Sequence, residues 1–228
     1  MREPVPQRIR AYEPLQTFRL RRGRVSATQA EALDRLWPRW GVDVDGRPLD
    51  LAALFGPGVP VVLDVGSGMG EATAAAALAD PARGVLAVDV HTPGLGALLR
   101  LAERAGLDNV RVADGDARVL LADMLAPASL DEVRVWFPDP WPKARHAKRR
   151  LLTPGFVALV ADRLRPGGRL HVATDWPPYA DAARAAVEGC ADLEVMSTAR
   201  PATRPLTRFE QQGLDAGRPA YDLVARRG

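Results

Sequence analysis

From Val61 onward the chain alternates short apolar runs with longer stretches of helical spacing. The runs fall at residues 61–65, 84–89, 109–113, 132–137, 168–173 and 192–197, with a last one at 220–225. Helical stretches lie between them at 70–79, 94–105, 115–125, 153–165 and 177–188. Thr153-Pro154 places an N-cap before a proline at the first helical position, and Pro166-Gly167-Gly168 is expected to end that helix. Repeated β–α units of this length predict an α/β protein: a doubly wound, mostly parallel sheet with helices on both faces. The runs set its strand count at seven, with 220–225 as a final edge strand.

Residues 1–25 are rich in Arg and Pro and poor in aliphatics, so they are expected to form a basic, flexible arm that buries too little surface to fold alone. Ser26-Ala27-Thr28-Gln29 is a capping box, and Ala30, Leu33, Leu36 and Trp37 follow at helical spacing. Pro38 to Pro60 reads as a connection with several turn signals. Residues 26–228 are therefore expected to form a single domain with an N-terminal helix packed on it.

A net charge of +3 says little, but the cations are segregated. Arg8, Arg10, Arg19, Arg21, Arg22 and Arg24 crowd the N-terminus, a second cluster spans Lys143 to Arg150, and Arg200, Arg204, Arg208 and Arg218 form a third. Three clusters on a nearly neutral chain suggest a polyanionic partner. Cys190 is the single cysteine and the three histidines are scattered, so neither a disulfide nor a metal site is expected. The basic N-terminus has no apolar stretch after it and no run of about 18 apolar residues occurs, which makes the cytoplasm the expected location.

Val61-Val62-Leu63-Asp64-Val65 leads directly into Gly66-Ser67-Gly68-Met69-Gly70. Glycines there let a ligand approach the main chain, and the amides of the helix that follows form an anion site. The spacing is G-x-G-x-G, which disfavours the dinucleotide fingerprint G-x-G-x-x-G. Asp89 ends the second run, where a carboxylate can accept both hydroxyls of a ribose. Together these features fit a nucleoside cofactor.

Phe137-Pro138-Asp139-Pro140-Trp141-Pro142-Lys143 carries three prolines in five positions, which neither a helix nor a paired strand tolerates. An acid and an indole therefore sit in a stiff loop. Five Lys/Arg follow between Lys143 and Arg150, so a rigid acid lies beside a dense positive run.

The strand, acid and G-x-G-x-G arrangement resembles class I S-adenosylmethionine-dependent methyltransferases, a Rossmann-like family whose last strand is antiparallel. That resemblance implies S-adenosyl-L-methionine as cofactor and S-adenosyl-L-homocysteine as product. It implies cofactor contacts from Asp64 near the methionine part, Gly66, Gly68 and Gly70 in the loop, Asp89 at the ribose, Asp116 beside the adenine, and Asp139. Asp116 is also a good helix N-cap, and that reading stands beside the first.

The second half narrows the resemblance. Phe137-Pro-Asp-Pro-Trp-Pro-Lys143, Arg145-His-Ala-Lys-Arg-Arg150, Ala173-Thr-Asp-Trp176 and Arg204-Pro-Leu-Thr-Arg-Phe-Glu210 occur in that order. With Phe18-Arg-Leu-Arg-Arg-Gly-Arg24 and Trp37-Pro38, they resemble the bacterial tRNA (guanine-N7-)-methyltransferase family from about Thr17 to Leu223. The implied reaction is methylation of N7 of a variable-loop guanine, conventionally position 46, giving 7-methylguanosine. Asp139 is the implied catalytic residue, positioning the base and supporting its developing charge; a turn acid satisfying backbone amides is the alternative. Lys143, Asp175 and the block Thr207, Arg208, Phe209 and Glu210 are the implied substrate contacts. Arg145, His146, Lys148, Arg149 and Arg150 are the implied RNA contacts. Trp141 is read either as a base-stacking platform or as an anchor for the loop, and Trp176 and Tyr179 as packing residues. The family implies tRNA as partner, no membrane, no required protein partner, and a monomer or homodimer. Asp64 and Asp89 stand where Glu is usual, one methylene shorter, which leaves room for a shifted or water-mediated contact.

Overall fold

Ser26 starts the first helix by a reciprocal exchange: its hydroxyl accepts the Gln29 amide at 3.3 Å, and Gln29 Oε1 accepts the Ser26 amide at 2.9 Å. Ser26→Ala is worth about 1 kcal/mol of helix stability. The computed structural model describes Thr17 and residues 25–228. The expected arm therefore lies outside the described residues except at Thr17 and Val25.

Helix α1, Ala27–Trp40, buries Ala32, Leu36, Trp37 and Trp40, and the Trp40 indole donates to the Leu107 carbonyl at 2.9 Å. Strand β1, Gly41–Asp43, follows, then α2, Leu51–Phe55, capped by Asp50. Alternating units come next: β2 Val61–Val65, α3 Glu71–Ala79, β3 Gly84–Asp89, α4 Thr92–Ala105 and β4 Val110–Asp114. A single α turn, α5 Ala117–Val119, passes into a π turn, Leu120–Met124, before β5, Leu130–Trp136. A 3-10 helix, Ala144–Arg149, precedes α6 Pro154–Arg163, β6 Leu164–Thr174, α7 Pro177–Glu188, β7 Leu193–Ser197, α8 Arg208–Asp215 and β8 Tyr221–Arg227.

The strands form one sheet in the order β1-β4-β3-β2-β5-β6-β8-β7. All pairs are parallel except those of β8, which is antiparallel to both neighbours. Strand β2 is buried at all five positions, as a parallel strand covered on both faces must be. Along β3, Leu86 and Val88 join the core shared with α6 and α7, while Val85 and Ala87 join the one shared with α1 and α4. Chain direction through the sheet reverses at β2, between β3 and β5, which opens a crevice at their carboxyl ends.

Three expectations need correction. The sheet has eight strands, not seven, because the stretch read as a connection contains β1, whose three residues are too few to show a pattern. Residues 220–225 do not form an edge: β8 inserts between β6 and β7, and β7 is the edge. Pro166-Gly167-Gly168 does not end the helix. Helix α6 stops at Arg163, and the three residues sit in a bulge of β6, where register jumps from Leu130↔Leu164 to Glu132↔Arg169. Pro166 has no amide to donate and Gly167 takes φ +78°, so both suit an unpaired bulge as well as a helix stop.

Candidate active site

The glycine loop leaves β2 at Val65, with Gly66, Gly68 and Gly70 at φ +81°, +58° and +85°. Gly70 is the N-cap of α3; a Cβ there would lie 2.6 Å from Leu98 Cβ, so only glycine lets α3 begin against α4. A Cβ on Gly94, in the first turn of α4, would overlap the carbonyl oxygen of Gly68. Helix α4 therefore rests directly on the loop, a constraint the sequence reading missed.

Asp89 fixes the loop from the next strand. One carboxylate oxygen accepts the Gly68 amide at 2.8 Å and the other accepts the His91 amide at 2.9 Å. Each oxygen keeps a further lone pair for a ligand. Asp64 is buried on β2 and accepts the Thr73 hydroxyl at 2.5 Å. Burial pushes its carboxyl above the ordinary range, against the Thr73 bond and the nearby Arg134 charge. Asp116 caps α5 by accepting the Arg118 amide at 2.9 Å and pairs with the Arg118 guanidinium at 2.6 Å. The capping reading of Asp116 thus holds, and its side chain also lines the cleft described next.

That cleft, about 930 Å³ with its mouth included, has Thr17, Gly66, Gly68, Asp89, Asp116, Phe137 and Asp139 on its walls. A second cleft of about 1100 Å³ adjoins it, with Asp64, Ser67, Thr207 and Arg208 on its walls. Gly66, Gly68, His91, Trp136, Phe137 and Phe209 border both. The structure therefore brings Asp64, the loop, Asp89, Asp116, Asp139 and the start of α8 around one opening. It does not bring Gly70, Lys143, Asp175 or Glu210 to either wall. Asp175 pairs with Arg218 at 2.9 Å.

The proline loop is held in an uncommon backbone shape. Phe137 takes φ +53° and Trp141 φ +44°, a region that costs a non-glycine residue about 1 kcal/mol or more. The Phe137 amide donates to Ala173 O at 2.7 Å. Trp141 is buried; its indole donates to Thr17 O at 3.0 Å, and the Arg149 guanidinium lies 5.0 Å over its ring. Trp141 is thus the anchor of the loop, not an exposed stacking platform. Tyr179 is a packing residue as expected: it is fully buried, and burial pushes its hydroxyl up to about 12.

The basic run is not uniform. Arg145 and Lys148 are exposed. Arg150 instead donates to Pro140 O at 3.1 Å and to Pro178 O at 2.9 Å, tying the loop to α7. Near the C-terminus, Thr207 caps α8 by accepting the Glu210 amide at 3.0 Å. Glu210 points into a buried network: Arg200 at 2.9 Å and Arg204 at 2.7 Å, with Arg204 also on Asp222 at 2.8 Å and Asp222 on His171 at 2.8 Å. Burial alone would raise both carboxyls, but bonds from Arg200 and Arg204 hold Glu210 low, and those from His171 and Arg204 hold Asp222 low.

A nucleoside bearing an amino acid fits these walls. Bare loop backbone and the α3 N-terminus offer amides, Asp64 and Asp89 offer acceptors, and the buried Ser67 Oγ and Trp136 Nε1 make no hydrogen bond among the described residues. Among those residues, no group of three His, Cys, Asp or Glu is placed to hold a metal, and no helix is long and apolar enough to cross a membrane.

Strand order, the antiparallel β8 and an acid-flanked glycine loop after β2 define a methyltransferase fold. A solved antibiotic-resistance methyltransferase, Kmr, has the same fold, with TM-score 0.54 and 22% identity over 78% of this chain and 91% of its own. The family model described as "Putative methyltransferase" matches residues 59–223. A tRNA (guanine-N(7)-)-methyltransferase of Streptomyces avermitilis is 56% identical over 97% of this chain and 76% of its own length. One from Nitrosomonas europaea is 44% identical over 95% and 98%. The chain belongs to the tRNA (guanine-N(7)-)-methyltransferase family.

Proposed function

We propose that the chain methylates N7 of a guanine in tRNA, with the variable-loop guanine at position 46 as acceptor, in the cytoplasm, and that residues 26–228 form a single methyltransferase domain to whose cleft Thr17 adds from the N-terminal side. When bound, S-adenosylmethionine supplies a methyl carbon already activated by its sulfonium. Asp64, Gly66, Gly68, Gly70, Asp89 and Asp116 hold that cofactor. Guanine N7 carries a free lone pair, so no side chain has to remove a proton to make the nucleophile. What this chain contributes is alignment and exclusion of water. Asp139 accepts from the guanine edge and stabilises the positive charge that develops on the ring. Lys143, Asp175 and the Thr207–Glu210 block position the nucleotide, and the basic 3-10 helix meets the phosphates.

The observation that carries this reading is the single opening shared by the glycine loop, Asp89 and Asp139, next to a 3-10 helix with Arg145 and Lys148 exposed. Asp175 and Glu210 reach the nucleotide only through what they hold: Asp175 through Arg218, and Glu210 through the start of α8. The test is methyl transfer to transcribed tRNA by the parent and by Asp139→Asn. Unchanged cofactor affinity with single-turnover transfer slowed about 100-fold is expected for loss of one aligned charge. Equal rates for the two proteins contradict the role of Asp139, and transfer to a tRNA whose variable-loop guanine is replaced by adenine contradicts the acceptor.

A further inference from the structure

Arg204 is a buried cation outside the proposed contact set. Its side chain is 0% exposed, and it makes four hydrogen bonds to two acids. Nη1 and Nη2 reach Glu210 at 2.7 and 2.8 Å, while Nε and Nη2 reach Asp222 at 2.8 and 3.0 Å. The same guanidinium lies 5.6 Å over the ring of Phe137. Three separate elements therefore meet on one planar group: β8 through Asp222, α8 through Glu210, and the proline loop through Phe137.

Two of those elements are walls of the opening. Phe137 borders both clefts and stands two residues before Asp139, and Phe209, next to Glu210, borders both as well. Asp222 belongs to the sheet, pairing across to Ala173, whose carbonyl accepts the Phe137 amide. A buried ion network is weak evidence of stability, and its better-attested use is to fix one arrangement among several. A guanidinium is suited to that because its donors are coplanar and fixed, unlike those of an ammonium.

We propose that Arg204 is a positioning residue that sets the Asp139 loop and the start of α8 at a fixed separation across the acceptor site. This rests on the methyl-transfer reading above. Arg204 touches neither the glycine loop nor Asp64 nor Asp89 and lies on neither cleft wall, so it reaches the site only through Phe137 and the start of α8.

The experiment pairs Arg204→Lys with Phe137→Leu, which keeps all four bonds and removes only the ring, and adds the double variant. Cofactor affinity is measured by calorimetry and methyl transfer by single turnover at saturating tRNA. Each single variant is expected to slow transfer about 10-fold or more, the scale of a slightly misplaced aligning group, with cofactor affinity held within about 2-fold. The double variant is expected to be little slower than Arg204→Lys, because the two substitutions break one contact. Multiplicative slowing, a cofactor affinity that falls in step with rate, or unchanged rates overturn the proposal. If Arg204→Lys does not fold, Asp222→Asn, which loosens the same guanidinium from a residue on neither cleft wall, decides it by the same split between rate and cofactor affinity. Transfer by the parent, run alongside, reports on the activity itself; the ratio of variant to parent reports on Arg204.

Discussion

One carboxylate oxygen of Asp89 accepts the Gly68 amide at 2.8 Å, so the end of β3 holds the glycine loop that leaves β2. The other oxygen holds the His91 amide, at the threshold of α4. A single side chain thereby sets the loop against the helix that packs beneath it. Asp89→Ala orphans both amides and is expected to weaken cofactor binding about 10-fold or more, equivalent to 1.4 kcal/mol, with a loss of about 1 to 3 kcal/mol in stability. Calorimetry and denaturant unfolding measure the two. Unaltered affinity in a variant with reduced stability would separate the loop brace from the ligand site.

Asp64 is predicted to trade stability for binding. Its folded carboxyl titrates above the ordinary value of 3.8 because burial disfavours the charged form. A raised acid contributes stability below that range and loses it as pH rises through the folded value. The cofactor-free Asp64→Asn variant is therefore expected to gain on the parent as pH rises from the ordinary carboxylate value of 3.8 to neutrality, while binding the cofactor more weakly. Urea unfolding at the two pH values checks the sign, and a variant that loses ground with rising pH contradicts it.

Glu210 has the opposite sign. Its carboxyl is held below the ordinary 4.5 by Arg200 and Arg204 in spite of burial. Its contribution is present above that range and fades as pH falls through the lowered folded value. Glu210→Gln is expected to cost about 3 kcal/mol near neutrality, with the difference from the parent shrinking below about pH 4. Unfolding curves across the acid limb read this directly; a difference independent of pH would mean that the lost charge is not the cause.

The cations of the basic helix are predicted to divide into two groups. Arg145 and Lys148 are exposed, and replacing either by Ala is expected to lower the log–log salt slope of tRNA binding by about one unit, leaving stability unchanged. Arg150 is spent on the carbonyls of Pro140 and Pro178, so Arg150→Ala is expected to reduce stability by about 1 to 3 kcal/mol. Filter binding over a salt series and thermal melting distinguish the groups. Equal salt effects with no loss of stability in any of the three would refute the division.

The buried parallel strands were legible because each is a continuous apolar run, and the runs at 61–65 and 84–89 match β2 and β3 residue for residue. Strand β1 was not, since three residues carry no period. The place of β8 was not either: alternation gives order along the chain, whereas insertion between β6 and β7 depends on pairing that no local pattern encodes. At the site, Asp89 was read from its place at a strand end, Asp64 from the acid before the glycine loop and Asp139 from the proline loop, and all three lie on the cleft walls. Arg204 was read as part of a cationic cluster facing a polyanion, because an Arg in a Pro- and Arg-rich stretch reads as surface; Glu210 and Asp222, 6 and 18 residues away in sequence, bury it instead. Gly94 escaped because its constraint comes from Gly68, on another element.

Methylation at guanine N7 leaves a mark that can be mapped: after reduction, amine treatment cuts the RNA chain at 7-methylguanosine. Purified protein, S-adenosylmethionine and transcribed tRNA, followed by that cleavage and sizing of the fragments, test the central claim most directly. One cut at the variable-loop guanine, absent when that guanine is adenine, is the predicted result. Methyl incorporation without a cut there, or a cut at another guanine, contradicts it.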